Sequence, residues 1–182
     1  MVLIALGANL PSEMGDPRGS LEAALSGLAA RGVEVAARSA WYRTPAVPAG
    51  SGPDYVNGAA RLRTRFAPRV LLDLLHDVEA ELGRVRRERW GPRVCDLDLI
   101  AVGNAILPDA PTVRAWIART GEARLEAPAT LILPHPRLQE RGFVLRPLAD
   151  IAPDWRHPLL GVTVLQMLSS LPPHALADIE RL

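Results

Sequence analysis

The chain contains no lysine: all 21 of its basic residues are arginine. A Walker-A phosphate loop and Schiff-base chemistry both need a lysine, so both are excluded. A single cysteine, Cys95, excludes an internal disulfide and a cysteine-rich zinc site. No apolar run approaches the roughly 18 residues of a membrane span. The first run, Val2 to Leu6, is too short for a signal-peptide core and follows no basic stretch. Aromatics are scarce, with two Phe, two Tyr and four Trp, and 21 basic residues against 20 acidic ones leave a net charge of only +1. No field suited to a nucleic-acid backbone results. These absences point to a cytoplasmic protein with no membrane or nucleic-acid partner.

What is present is enough for one domain spanning residues 1–182, with 48% hydrophobic residues to fill a core. Val2 to Leu6 reads as a buried strand, ending in a turn at Gly7-Ala8-Asn9. Asp16-Pro17 opens a helix carrying Leu21, Ala24, Leu25 and Leu28, which stops at Gly32. Val33, Val35, Ala37, Ser39 and Trp41 alternate as in a strand. A Pro/Gly/Ala-rich loop follows from Pro45 to Pro53. In the next strand, Val56, Gly58, Ala60 and Leu62 face one way and Tyr55, Asn57 and Ala59 the other. Pro68 starts a second helix, in which Val70, Leu74, Val78 and Leu82 repeat every four residues and Leu71 and Leu75 widen the stripe. A strand from Val94 to Val102 closes the series, and Ala129 to Leu133 is a further candidate. The order β-α-β-β-α-β predicts an α+β, ferredoxin-like sandwich, with helices packed on a mostly antiparallel sheet. Residues 108–128 form an Ala/Pro/Arg-rich insert, in which Val113, Trp116 and Ile117 have the i, i+3, i+4 spacing of a short amphipathic helix.

Chemistry concentrates at Asp96-Leu97-Asp98. Alternation sends Cys95, Leu97, Leu99 and Ala101 to one face of the strand and both aspartates to the other, with their Cα atoms about 6.6 Å apart. Two converging carboxylates repel unless a cation lies between them. Magnesium takes one or two carboxylates and completes its shell with phosphate oxygens and water. A bare Asp-x-Asp also reads as a solvated strand face. Here it follows Arg89-Trp90-Gly91-Pro92-Arg93, and five arginines (Arg84, Arg86, Arg87, Arg89 and Arg93) fall within ten residues. Guanidinium forks match phosphate oxygens and stay charged at any working pH. An arginine loop leading into a metal-binding strand is equipment for phosphoryl transfer.

The run Arg89-Trp90-Gly91-Pro92-Arg93-Val94-Cys95-Asp96-Leu97-Asp98-Leu99-Ile100 resembles the signature of the 6-hydroxymethyl-7,8-dihydropterin pyrophosphokinases. Further motifs in the family's order carry the resemblance from residue 2 to about 155: Gly7-Ala8-Asn9-Leu10, Tyr42-Arg43-Thr44-Pro45, Pro53-Asp54-Tyr55-Val56-Asn57, Leu133-Pro134-His135-Pro136 and Arg141-Gly142-Phe143. The resemblance implies transfer of pyrophosphate from ATP to the hydroxymethyl pterin, giving AMP. It implies that Asp96 and Asp98 hold two magnesium ions, with Asp96 also touching the pterin. Tyr55 and Phe143 would sandwich the pterin ring, while Asn57 and groups near Thr44, Pro45 and Val47 read its polar rim. Trp90 would close over it. Arg84 and Arg93 would be catalytic, and Arg86 a triphosphate contact that Arg87 could equally supply, because this loop is one residue shorter than in some relatives. His76, Glu79, Leu99, Ile132, His135 and Arg141 would meet the nucleotide. Two of these positions, His76 and Ile132, often carry polar side chains in relatives. The insert has no counterpart in the shortest relatives; its placement predicts the rim of the ATP pocket, with an arginine available to phosphate.

Two other functions compete. The same element order serves RNA-recognition modules, but those need strand aromatics, where this chain has aspartates. A phosphotransferase acting on another heterocycle shares every feature except the Tyr55, Asn57 and Phe143 set.

Overall fold

The computed structural model describes residues 1–46, 52–83 and 94–182. Val47 and the arginine loop, with Arg84, Arg86, Arg87, Arg89, Trp90 and Arg93, lie outside the described residues. The strands are β1 (Val2–Ala8), β2 (Glu34–Arg38), β3 (Tyr42–Thr44), β4 (Tyr55–Arg63), β5 (Asp96–Val102) and β6 (Glu180–Arg181). The helices are α1 (Pro17–Ala30), α2 (Pro68–Glu81), α3 (Ala110–Ile117), α4 (Gly142–Ile151) and α5 (Val164–Ser169). The strands run in the order β5-β1-β4-β3-β6, β2 also pairs with β4, and every pairing is antiparallel. This is the ferredoxin-like order, with its second strand divided into β2 and β3. Among the described residues no helix is long and apolar enough to cross a membrane.

Local chemistry explains the helices. Asp16 caps α1 by accepting the Gly19 N–H at 2.8 Å, and Pro17 loses nothing at the first helical position. Leu21, Ala24, Leu25 and Leu28 then meet Leu71, Leu75 and Val78 of α2 over Ile4, Leu6, Leu62, Leu97 and Leu99 of the sheet. In α2 the buried stripe is Leu71, Leu75, Val78 and Glu79, whereas Val70 is 50% exposed. The four-residue repeat was right in period but rotated by one position, because burial is decided by where the helix lies on the sheet.

The opposite face of the sheet carries a second core that the six-element pattern did not foresee. There α4 and α5 place Leu145, Leu148, Met167 and Leu168, joined by Trp155, on Leu3, Ala5, Ala59, Ile100 and Ala101. Ala101 therefore faces the reverse of the expected side. The β1–β5 register shifts between Leu3 and Ile4, so that Leu3 pairs with Ala101 and Ile4 with Leu99. Ile100 is the extra residue of this bulge, and alternation restarts after it. Two further expectations change. Gly7 and Ala8 belong to β1 and not to a turn. The candidate strand at 129–133 reduces to one isolated bridge, Leu107 to Leu133. The insert does contain the expected helix, α3, anchored by the fully buried Val113 and capped where Asp109 accepts the Thr112 N–H at 2.8 Å.

The strand read from Val33 to Trp41 breaks after Arg38, and Trp41 turns into the first core over Gly58. A Cβ on Gly58 would lie 2.4 Å from Trp41 Cζ3. Trp41 also donates Nε1–H to Glu22 at 3.3 Å, which limits its escape. Gly58→Ala should therefore cost about 1–3 kcal/mol as an overpacked core, measured as a lower denaturation midpoint. An unchanged midpoint would mean that Trp41 moves aside freely.

Candidate active site

The sheet register brings the first functional residues together. Asn57 on β4 pairs with Gly7 on β1, and Gly7 pairs with Asp96 on β5. Two residues along, Ala59 pairs with Ala5 and Ala5 with Asp98. Directly opposed residues share a face, so both aspartates, Asn57 and the two small β1 residues stand on one surface. With strands about 4.8 Å apart, the backbones of Asn57 and Asp96 lie about 9.6 Å from one another. Gly7 leaves that interval open: a Cβ there would come within 3.3 Å of Asn57 Oδ1. Ala5 and Gly7 thus form the floor of a trough, a role sequence reading missed. Two small residues spaced i, i+2 on a strand were the signal.

The trough belongs to a cavity of about 770 Å³. At one side it is lined by Thr44, Pro45, Tyr55, Asn57 and Phe143. Register places Thr44 opposite Tyr55, and Thr44 Oγ1 accepts the buried Asn57 amide at 2.8 Å, which fixes the orientation of that amide. Phe143 is 41% exposed at the start of α4 and lines the cavity. Nearby, Asn9 donates to the Pro53 carbonyl at 3.1 Å, tying the end of β1 to the approach to β4.

The outer edge of β5 is covered by groups expected at the nucleotide. Glu79, 1% exposed, accepts the Leu97 N–H at 2.6 Å, between the two aspartates. It lines the cavity and also holds the backbone of β5, a structural duty the sequence did not reveal. The His135 N–H donates to the Ile100 carbonyl at 2.8 Å, and His135 Nδ1 accepts the Arg137 N–H at 3.1 Å. Burial, with Arg141 and Arg137 beside it, pushes the His135 imidazole well below its usual range, so the ring is neutral at working pH. Arg141 Nη1 stands 3.5 Å from Asp98 Oδ2, with its guanidinium carbon 5.7 Å from the Phe143 ring centre. His76, Leu99 and Ile132 line the same cavity. All the expected site residues among those described therefore converge on one cavity; Val47, Arg84, Arg86, Trp90 and Arg93 lie outside the described residues.

Sequence reading missed Arg69 and Leu72 of α2 and Arg137, which line the cavity; the insert was expected at the rim of the ATP pocket, and its Trp116, Arg119 and Arg124 line this cavity. Arg137 and Arg124 both pair with Glu140, Arg137 Nε at 2.6 Å. Arg119 pairs with Glu126 at 2.7 Å. Of the insert arginines, Arg119 and Arg124 are thus matched by carboxylates, while Arg114 is exposed in the last turn of α3.

Residues 3–153 match the 7,8-dihydro-6-hydroxymethylpterin-pyrophosphokinase (HPPK) family. The chain belongs to this family. Its activity is pyrophosphoryl transfer to 6-hydroxymethyl-7,8-dihydropterin, with ATP as co-substrate, a step of folate biosynthesis. It is 38% identical over 170 residues to a 2-amino-4-hydroxy-6-hydroxymethyldihydropteridine pyrophosphokinase of Synechocystis, covering 93% of this chain and 75% of that protein. It is 38% identical over 172 residues to that of Methylorubrum extorquens, covering 94% of this chain and 96% of the relative. Among solved structures it is similar to the wild-type HPPK-DHPS of Plasmodium falciparum, with a TM-score of 0.60 at 13% identity over 92% of this chain. The pyrophosphokinase chain spans only 43% of that structure, so this likeness speaks for the fold alone.

Proposed function

We propose that the two substrates of this pyrophosphokinase meet over the Ala5–Gly7 floor, with the pterin on the β3–β4 side and the triphosphate over Asp96 and Asp98. The observation that carries this reading is the transverse row Asn57–Gly7–Asp96, which puts a ring-reading amide and a metal-type carboxylate on opposite sides of a residue with no side chain. The pterin lies between Tyr55 and Phe143, its polar rim read by Asn57 and by groups near Thr44, Pro45 and Val47. Trp90 shields it from water. Arg141 and His135 face the triphosphate, with Arg86, while His76, Glu79, Leu99 and Ile132 border the nucleotide. The whole of residues 1–182, insert included, works as one domain. Its one buried cysteine suits a reducing, cytoplasmic setting.

The donor set suits magnesium. Two carboxylates share a strand face, and among the described residues no group of three His, Cys, Asp or Glu side chains could enclose a metal. That favours a hard ion completing its shell with phosphate and water over a metal caged by protein. Asp96 and Asp98 would hold two such ions. What bound magnesium supplies is neutralisation of charge on the triphosphate oxygens.

In the reaction the pterin hydroxyl oxygen forms a bond to the β-phosphorus of ATP. The bond from the β-phosphorus to the bridging oxygen breaks, AMP leaves, and the hydroxyl proton passes to solvent. The protein's part is to hold the hydroxyl in line and to place Arg84 and Arg93 against the developing charge. Incubation with ATP, magnesium and the hydroxymethyl dihydropterin should yield AMP and pterin diphosphate in equal amounts. Stoichiometric ADP would overturn attack at the β-phosphorus.

A further inference from the structure

The insert occupies the side of the cavity away from the pterin residues. Sheet order puts β3 and β4, with Thr44, Tyr55 and Asn57, on one side of β1 and β5 on the other. The segments flanking the insert close back beside β5, through the Leu107–Leu133 bridge and the His135 N–H to Ile100 carbonyl bond. From there Trp116, Ile117 and Arg119 line the same cavity as Leu72 and His76 of α2.

These insert side chains are held in place before any ligand arrives. Val113 is fully buried and anchors α3, and the Asp109 cap fixes its first turn. The Arg119 guanidinium carbon lies 3.3 Å from the centre of the Trp116 ring. Its Nη1 reaches Glu126 at 2.7 Å and the Ala123 carbonyl at 3.4 Å. The guanidinium is thus stacked on the indole face, and the stacked pair is a flat, ordered shelf one ring and one guanidinium deep, so a planar ligand orders little on binding. Because Glu126 already neutralises Arg119, the shelf suits an uncharged heterocycle better than a phosphate. Arginine has five N–H donors, and those beyond Nη1 match ring nitrogens and sugar hydroxyls.

We propose that the Trp116–Arg119 shelf, with Ile117 beside it, is the nucleoside subsite of this enzyme: the base of ATP lies flat on it. The proposal rests on the reading that the triphosphate lies at Asp96 and Asp98. Base-on-aromatic stacking is worth about 1–3 kcal/mol per base, or roughly tenfold to a hundredfold in affinity.

The test compares α,β-methylene-ATP, which cannot transfer its pyrophosphoryl group, with inorganic tripolyphosphate, each titrated with magnesium into the full chain. Trp116→Ala and Arg119→Ala should bind the nucleotide analogue about tenfold to a hundredfold more weakly, while Trp116→Phe keeps most of the affinity. Tripolyphosphate and pterin affinities should stay at the wild-type level. The proposal is overturned if both alanine variants bind the analogue like wild type, or if analogue and tripolyphosphate weaken equally, which would make the shelf a phosphate contact. Arg119→Ala, at a partly exposed position, keeps the test open should Trp116→Ala fold poorly. Failure of the underlying reading looks different: wild type would then release ADP, or Asp96→Asn would bind tripolyphosphate and magnesium as well as wild type does.

Discussion

Asp96→Asn and Asp98→Asn should each lose roughly 10²-fold or more of turnover at saturating magnesium, because Lewis-acid charge stabilisation is worth several kcal/mol and each 1.36 kcal/mol is a factor of ten. A neutral amide binds a hard cation poorly, so raising magnesium should not restore the rate. The two variants should differ in a second measurement. Asp96 stands in the row with Gly7 and Asn57, so its loss should also weaken pterin binding. Asp98 stands opposite Ala5 and contacts Arg141 at 3.5 Å, so its loss should disturb the triphosphate and spare the pterin. Both proteins should stay folded, since two adjacent like charges on a sheet face do not stabilise it. Near-normal turnover in either purified, folded variant would sink the assignment of these carboxylates to magnesium.

Arg84→Ala and Arg93→Ala carry the other large expectation, a fall in turnover of roughly 10³–10⁵, the range for arginines that neutralise phosphoryl-transfer charge. Both lie outside the described residues, and the expectation comes from their place in the motif before β5. Their charge matters most where phosphate charge develops, so the pterin dissociation constant should shift far less than kcat. Equal losses in affinity and turnover would assign them instead to ground-state binding of ATP.

The parts of the fold legible in the sequence are those set by a local period. Asp16-Pro17, the leucines of α1 and the opposed faces of β4 follow from spacing alone. What depends on a partner did not show. The bulge at Ile100 exists only relative to the register of β1, and the stripe of α2 is rotated by how the helix lies on the sheet. The second core draws on Trp155 and on Val164, Met167 and Leu168, the latter three placed by a six-residue helix too short to announce itself by periodicity. At the site, Tyr55 and Asn57 were legible because alternation puts them on one face. Gly7 was misread because glycine after a short apolar run signals a turn, and only pairing on both sides reveals a strand. Glu79 looked like a nucleotide contact; its bond to the Leu97 N–H links residues far apart in the chain.

The bulge at Ile100 also divides the protein into a part that tolerates changes of length and a part that does not. A residue gained or lost upstream of it, between Asp96 and Leu99, would turn the carboxylates toward Leu71 and Leu75 in the first core. A residue gained or lost in the strand just downstream, at Ala101 or Val102, re-aims only those small or aliphatic side chains. The insert, with its own helix and its wall of the cavity, lies wholly on the downstream side. Heritable variation in length can therefore reshape the far end of the pocket while the Asp96 and Asp98 carboxylates keep their aim.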